Sequence, residues 1–208
     1  MTVTQALAAF CLAAGLLTLT PGLDTALVLR AAAVEGRKRA MLAAIGVGGG
    51  CLVWGAAVAL GLGALLAASQ LAFTALKWAG GAYLLWLGAN LILRPRNAFD
   101  AHGGAVPAGG DFAWMRRGLL TNLLNPKIGV FYVSFLPQFL PTGAPAGPFI
   151  FLLALIHVAM GLAWFALLIA ATAPIAGALG RPAVVRWLDR ATGGVFVAFG
   201  LRLALERR

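Results

Sequence analysis

The feature that most constrains this chain is a series of apolar segments, each long enough to cross a lipid bilayer. Runs of 18 or more mostly apolar residues recur along the 208-residue sequence, and such a run forms a helix that spans the ~30 Å hydrocarbon core. Only 11% of the residues are charged, against about 25% in ordinary soluble domains. The sequence therefore predicts an all-α integral membrane protein, a single helical bundle in the lipid bilayer with no room for a soluble domain.

Six spans follow from the apolar runs. They are Val3–Leu29, Ala40–Ala68, Leu71–Leu93, Gly118–Leu140, Pro148–Ala173 and Ala191–Leu205. The first is kept as a span because the N-terminus lacks the positively charged region of a signal peptide. The sixth has a short uncharged run, so Arg202 has to extend outward to the membrane surface.

The basic residues alternate between the two ends of these spans, which explains the net charge of +10 without a nucleic-acid partner. They cluster after the first span, around the loop after the third, and between the fifth and sixth: Arg30, Arg37, Lys38, Arg39, Arg94, Arg96, Arg116, Arg117, Arg181, Arg186 and Arg190. The intervening connections hold only Lys77. Under the positive-inside rule this predicts a multi-pass inner-membrane protein with both termini outside the cytoplasm, although Arg207 and Arg208 run against the pattern.

Short motifs recur in the same order in the two halves of the chain. GLLT occurs at residues 15–18 and again at 118–121, and a proline soon follows each copy, Pro21 and Pro126. GGAY at 80–83 corresponds to GGVF at 193–196, and LVW at 52–54 to LAW at 162–164. The order predicts two three-helix repeats, residues 1–93 and 118–208, joined by a flexible Gly/Pro-rich cytoplasmic loop at 94–117. Because three is an odd number of spans, the second repeat is inverted in the membrane.

Proline interrupts the first and fourth predicted spans at the same depth. Pro21, followed by Gly22, lies nine positions from Arg30, and Pro126 lies nine positions from Arg117. At 1.5 Å per residue each proline is ~13–14 Å from the cytoplasmic surface, which is near the midplane of a ~30 Å core. Interrupted helices in matching positions of two halves indicate the substrate site of a secondary transporter.

Five polar side chains in the spans are candidates for that site. An intramembrane acid such as Asp24 is functional by default; the alternative is a carboxylate that extends to the inner surface. Asn122 and Asn125 either bind substrate or only bridge helices. Lys127 lies deep enough to need a partner. His157 is more often a hydrogen-bond donor between helices than a proton relay.

One hypothesis joins two of these residues. If the two breaks face each other, Asp24 and Lys127 approach near the midplane, and each lowers the cost of burying the other. A zwitterionic amino acid carries the same two charges and competes for both groups. Separately, Gly46 and Gly50 form a GxxxG pair, which indicates close helix packing.

Three blocks of sequence resemble the LysE/RhtB superfamily of amino-acid exporters. They are TPGLD at 20–24, KWAGGAYLLWLG at 77–88 and TNLLNPKIGVFYVSFLPQF at 121–139. Where the family commonly has Pro-Gly-Pro, this chain has Leu23 in place of the second proline. The resemblance implies export of amino acids or close derivatives from the cytoplasm, of the homoserine or threonine kind or other neutral or basic ones, driven by an ion gradient, with protons the expected coupling ion. It agrees with the absence of a P-loop sequence, and we expect no cofactor.

Other classes fit the residues less well. A membrane thiol-redox carrier of related fold needs a reactive cysteine pair, but Cys11 and Cys51 both lie in apolar spans of the first half. A heavy-metal exporter needs converging soft or imidazole ligands, and this chain has two cysteines and two histidines, with His102 in a loop. An enzyme is not expected, because neither HExxH nor GxSxG with a following base occurs. The choice of amino acid and the formation of a homodimer are left open.

Overall fold

The computed structural model of the chain describes residues 1–68, 78, 81–82, 85–86, 88–95, 110–171 and 181–205. Within these ranges the chain is helical and contains no strand, as the sequence predicts. The α-helices are α1 (Val3–Leu19), α2 (Leu23–Val34), α3 (Arg37–Ala68), α4 (Asp111–Leu123), α5 (Pro126–Val130), α6 (Ala146–Ala170) and α7 (Pro182–Leu205). A π-helical segment, Phe131–Phe135, and a 3-10 turn, Leu136–Phe139, continue α5.

Two helices are long and apolar enough to cross a membrane, α6 and the stretch Arg37–Gly61 of α3. Two more crossings result if each bent pair counts as one span: α1 with α2, bent by 53°, and α4 with Lys127–Phe139, bent by 57°. The predicted second and fifth spans are thus confirmed, as are the interruptions of the first and fourth. The third predicted span lies largely outside the described residues, and α7 is not among the helices that length and composition alone assign to a membrane. The six-span inverted repeat stays a prediction.

The first break begins at Pro21, the residue that lacks a backbone N–H. Pro21 has no N–H with which to extend α1, so the helix ends at Leu19 and Thr20 adopts an extended conformation (φ −73°, ψ 113°). Gly22, also extended, stands immediately before the first turn of α2. The chain therefore crosses from one half-helix to the next in three residues.

The second break has a different cap. After α4 ends, Asn125 adopts an extended conformation, and its side-chain oxygen accepts from the backbone N–H of Lys127 at 3.1 Å. Pro126 occupies the first turn of α5, where a missing N–H costs nothing. Asparagine and proline thus terminate one helix and start the next.

Two helix starts differ from the predicted span boundaries. α4 begins at Asp111 rather than Gly118, so residues 111–117 belong to a helix and not to the predicted loop 94–117. α7 begins at Pro182 rather than Ala191. In both cases the predicted boundary lies next to charged residues, because a span was defined by its apolar run. The helix itself extends beyond that run, since charged side chains in water are compatible with a helical backbone.

Glycines bring α3 and α4 into backbone contact. A Cβ added to Gly46 would overlap the carbonyl oxygen of Met115, and one added to Gly118 would overlap that of Ala43. A Cβ on Gly50 would lie 2.8 Å from the Cβ of Asn122. Close packing by the GxxxG pair is therefore confirmed, and it holds α4 against α3 at the level of the breaks.

An aromatic cluster fixes the irregular segment after α5 against α1. The rings of Phe10 and Phe139 meet edge to face with centroids 5.4 Å apart, and those of Phe131 and Phe135 lie 5.0 Å apart. All four side chains are buried. This packing sets the position of the π-helical segment and of the Tyr132 side chain within it.

Candidate functional site

Lys127 joins the two breaks. Its Nζ donates to the backbone carbonyl of Leu17 at 3.3 Å and to that of Thr20 at 3.0 Å. In an unbroken helix the Leu17 carbonyl would accept from the N–H four residues later, but that residue is Pro21. The ammonium thus replaces donors that the first break removed, and it does so at the partly negative C-terminus of α1.

Asp24 is buried at the N-terminal end of α2, with 7% of its surface exposed. The carboxylate lies in the first turn, where the positive end of the helix dipole favours it. Its Oδ2 accepts from Asn122 Nδ2 at 2.8 Å, whereas its Oδ1 has no hydrogen-bond partner among the described residues. One carboxylate oxygen is therefore held by a hydrogen bond, and among the described residues the other is buried without a hydrogen-bond partner.

Asn122 connects this carboxylate to α3. The side chain is fully buried, and its amide group lies 3.4 Å from Cys51 Sγ as well as donating to Asp24. There is room for it because Gly50 has no side chain. Asn122 thus acts as a bridge between α2, α3 and α4, close to the structural alternative considered for it from the sequence.

His157 forms the interhelical hydrogen bond expected from the sequence. Its Nδ1 lies 2.9 Å from the hydroxyl of Tyr132, and both side chains are buried. The ring of Phe131 packs on the imidazole with centroids 5.3 Å apart. π-helical turns occur often at functional sites, and here the π-helical segment directs Tyr132 toward α6.

These groups surround one pocket between the half-helices and the helices α3 and α6. Of the candidates from the sequence, Gly22, Asp24, Asn125, Lys127 and His157 line it. The other lining residues are Leu17, Thr18, Thr20, Thr25, Ala44, Val47, Gly48, Cys51, Ile128, Val158, Gly161, Leu162 and Phe165. Asn122 does not line the pocket but donates a hydrogen bond to Asp24, which does. Pro21 ends α1 and Pro126 starts α5, so these two prolines shape the pocket through the backbone.

The two opposite charges line the same pocket, and their direct pairing stays a prediction. Asp24 and Lys127 lie within electrostatic reach of each other. Each charge also has a hydrogen-bonded neighbour of its own: Asp24 accepts from Asn122, and Lys127 donates to backbone carbonyls of α1 and the first break. The breaks do face each other, but each charge has its own support.

Sequence reasoning missed several polar residues around the site, among them the pocket-lining Thr18 and Thr25. Cys51 and Tyr132 are contacts of Asn122 and His157, and Thr192 of α7 forms a buried hydroxyl–hydroxyl hydrogen bond with Thr20 at the first break. Single cysteines, tyrosines and threonines in apolar runs are indistinguishable from core residues by periodicity. Only their neighbours in space assign them to the site.

The geometry offers nothing specific to the alternative classes. In the part of the chain that the structure describes, no three His, Cys, Asp or Glu side chains converge to hold a metal ion. Cys51 is buried, Cys11 is partly exposed, and neither is in a disulfide.

Comparison with known proteins gives a consistent result. The family model described as LysE type translocator matches residues 16–207. The threonine efflux protein of Escherichia coli strain K12 is 30% identical over 199 residues, covering 91% of this chain and 92% of that protein. The homoserine/homoserine lactone efflux protein of Salmonella typhimurium is 30% identical, with 96% of each chain covered. An uncharacterized membrane protein of Vibrio cholerae is 32% identical, again over 96% of each. No solved structure matches.

Proposed function

The chain belongs to the LysE type translocator family, and on that premise we propose that it is a secondary transporter that exports amino acids from the cytoplasm. The expected substrates are threonine, homoserine and close derivatives, because relatives that match nearly the whole chain carry the names of threonine and homoserine efflux proteins. The proposed driving force is an ion gradient, with protons as the coupling ion.

One observation carries the proposal: a carboxylate with one oxygen that has no hydrogen-bond partner among the described residues and an ammonium line the same pocket at two helix breaks. An α-amino acid has an ammonium and a carboxylate on one carbon, so it is complementary to this pair. The substrate ammonium binds Asp24 Oδ1. The substrate carboxylate binds Lys127, which exchanges one or both of its carbonyl partners for the stronger charge-assisted hydrogen bond.

The same carboxylate accounts for coupling. Asp24 holds either a proton or the substrate ammonium, because protonation removes the charge that attracts the cation. A proton that enters from outside therefore releases the substrate there, and its loss to the cytoplasm restores the binding site. Intramembrane acids serve as proton-carrying groups in this way in many transporters. The hydrogen bond from Asn122 keeps the carboxylate of Asp24 in position.

We further propose that six spans in two inverted repeats place this site at the membrane midplane, with both termini outside the cytoplasm. Equivalent contacts in the two halves support the repeat. Gly15 of the first GLLT packs against Met160 of α6, and Gly118 of the second packs against Ala43 and Val47 of α3. The first helix of each repeat thus packs on the second helix of the other.

The test is efflux from cells preloaded with radiolabelled amino acids, compared between the wild type and Asp24→Asn. We expect the wild type to export threonine or homoserine faster than cells without it. Asp24→Asn should abolish efflux while insertion into the membrane persists, because the amide fills the same space without the charge. Asp111→Asn is a matched control, since Asp111 is a partly exposed carboxylate that does not line the pocket and whose Oδ2 lies 2.6 Å from Lys38 Nζ. Full efflux by Asp24→Asn, or none by the wild type across a broad panel, would overturn the proposal.

A further inference from the structure

Away from the half-helix ends, the pocket wall is apolar with one exception. The residues that α6 contributes besides His157 are Val158, Gly161, Leu162 and Phe165, none of which has a polar side-chain atom. The residues from α3 are Ala44, Val47, Gly48 and Cys51, of which only the thiol is weakly polar. His157 is thus the strong hydrogen-bonding side chain on this wall.

The imidazole is held in a defined orientation. The hydroxyl of Tyr132 is hydrogen-bonded to Nδ1, and the ring of Phe131 packs against the imidazole at an interplanar angle of 50°. Because His157 lines the pocket, Nε2 is the ring nitrogen left for a ligand. His157 also lies within electrostatic reach of Lys127, so a molecule bound to the ammonium has its remaining atoms near the imidazole.

We propose that His157, positioned by Tyr132, is the residue that selects substrates with a hydroxyl on the side chain. This inference rests on the proposed export of amino acids. With the charged groups of the substrate at Asp24 and Lys127, its side chain extends along the α3–α6 wall. A hydroxyl there exchanges a hydrogen bond with Nε2, whereas a methyl group of equal size leaves Nε2 without a partner.

A pair of natural amino acids isolates this contact. Threonine and valine have nearly the same shape and differ by a hydroxyl in place of a methyl group. Sites built to hydrogen-bond a hydroxyl reject analogues that lack it, whereas purely apolar pockets discriminate weakly. The preference for threonine over valine in transport efficiency therefore measures the contribution of His157, separately from the binding of the charged groups.

The experiment measures concentration-dependent efflux of threonine and valine by the full-length protein in proteoliposomes with an imposed pH gradient. The variants are His157→Phe, which keeps a ring, His157→Gln, which restores a hydrogen-bonding group, and Tyr132→Phe. His102→Phe, at the other histidine of the chain, is the matched control. Loss of one hydrogen bond should lower the threonine-to-valine ratio about five- to tenfold in His157→Phe. Tyr132→Phe should lower it less, and His157→Gln should recover part of it.

Each outcome decides a separate question. A ratio that stays at the wild-type value in His157→Phe, or in Tyr132→Phe if the first variant fails to insert, would refute selection by His157. Equal efflux of threonine and valine by the wild type would refute it too, but would leave amino-acid export intact. Absence of efflux for every amino acid in the wild type would overturn the proposed function itself.

Discussion

At the scale of single residues, the site depends on a backbone donor that Pro21 lacks and on the ammonium donor that Lys127 supplies. The Leu17 carbonyl would be without its helical donor at Pro21, and Lys127 reaches across from the other half of the chain to supply one. The cost of leaving a buried carbonyl unsatisfied is about 1–3 kcal/mol. Lys127 therefore stabilises the break at which we propose that it binds the substrate carboxylate, and this dual role leads to a prediction about protein abundance.

We predict that Lys127→Met lowers the amount of folded protein in the membrane by nearly the same factor in the wild type and in Asp24→Asn. A mutual ion pair would make the double variant milder than the sum, because losing both charges costs less than stranding one. Here the methionine leaves the carbonyls of Leu17 and Thr20 without the ammonium, and removal of Asp24 does not repair them. Quantitative immunoblots of membranes from the four strains measure the effect. A double variant as abundant as Asp24→Asn alone would show that the two charges chiefly support each other.

At the scale of helices, the arrangement around the breaks depends on the close approach of α3 to α4. Glycine at the crossing lets the two backbones touch, which brings Asn122 to Asp24 and Cys51. A second crossing has the same form: a Cβ on Gly88 would lie 2.7 Å from the carbonyl oxygen of Gly193, and the reverse distance is also 2.7 Å. Small residues at helix contacts are the usual means of association in lipid, where no hydrophobic effect drives helices together.

We predict that Gly46→Ala destabilises the protein by about 1–3 kcal/mol, as overpacked cores do, because the new methyl group collides with backbone atoms of α4. Gly61→Ala on the same helix is the matched control, since no described residue has an atom within 4 Å of the Cβ it adds. Thermal unfolding in detergent, followed by loss of a single size-exclusion peak, should show a lower transition temperature for Gly46→Ala only. Equal transition temperatures for the two variants would indicate that α3 and α4 do not pack this closely in the membrane.

At the scale of the whole molecule, exporting in one direction requires that the site open to each side in turn. The two inverted repeats that we propose would provide this, because the contacts that close one side in one state can close the other side in the second state. The arginine alternation orients the repeats, and it predicts where each connection lies.

Reporter fusions after Lys38, Gly109 and Arg181 should indicate the cytoplasm, and fusions near Gln70 and Gly143 the outside. The physical reason is that connections rich in arginine and lysine are retained on the cytoplasmic side. Enzyme reporters that are active on only one side of the membrane make the measurement, and the fusion after Lys38 serves as the internal reference. A cytoplasmic result at Gly143 would contradict both the orientation and the inverted repeat.

The class of the protein and the breaks were determined by local properties of the sequence. Apolar runs force backbone groups to bond within helices, because lipid offers no alternative partners. Pro21 and Pro126 end those helices whatever surrounds them, so the interruptions were predictable from spacing alone. The starts of α4 and α7 were not predictable in this way, because one helix can begin in water and continue into the lipid, whereas an apolar run marks only the part in lipid.

Only the tertiary structure decided which groups meet at the breaks. Sequence spacing placed Pro21 and Pro126 at one depth, but how the helices pack sets the partners of Asp24 and Lys127. Asn122 reaches the carboxylate because Gly50 leaves space for it, and the ammonium meets carbonyls that an intact α1 would have bonded internally. Tyr132 beside His157 is likewise a product of packing. Hydrogen bonds between residues about 100 positions apart depend on how two distant helices are placed and rotated relative to each other. The helical period within one segment contains no information about that placement.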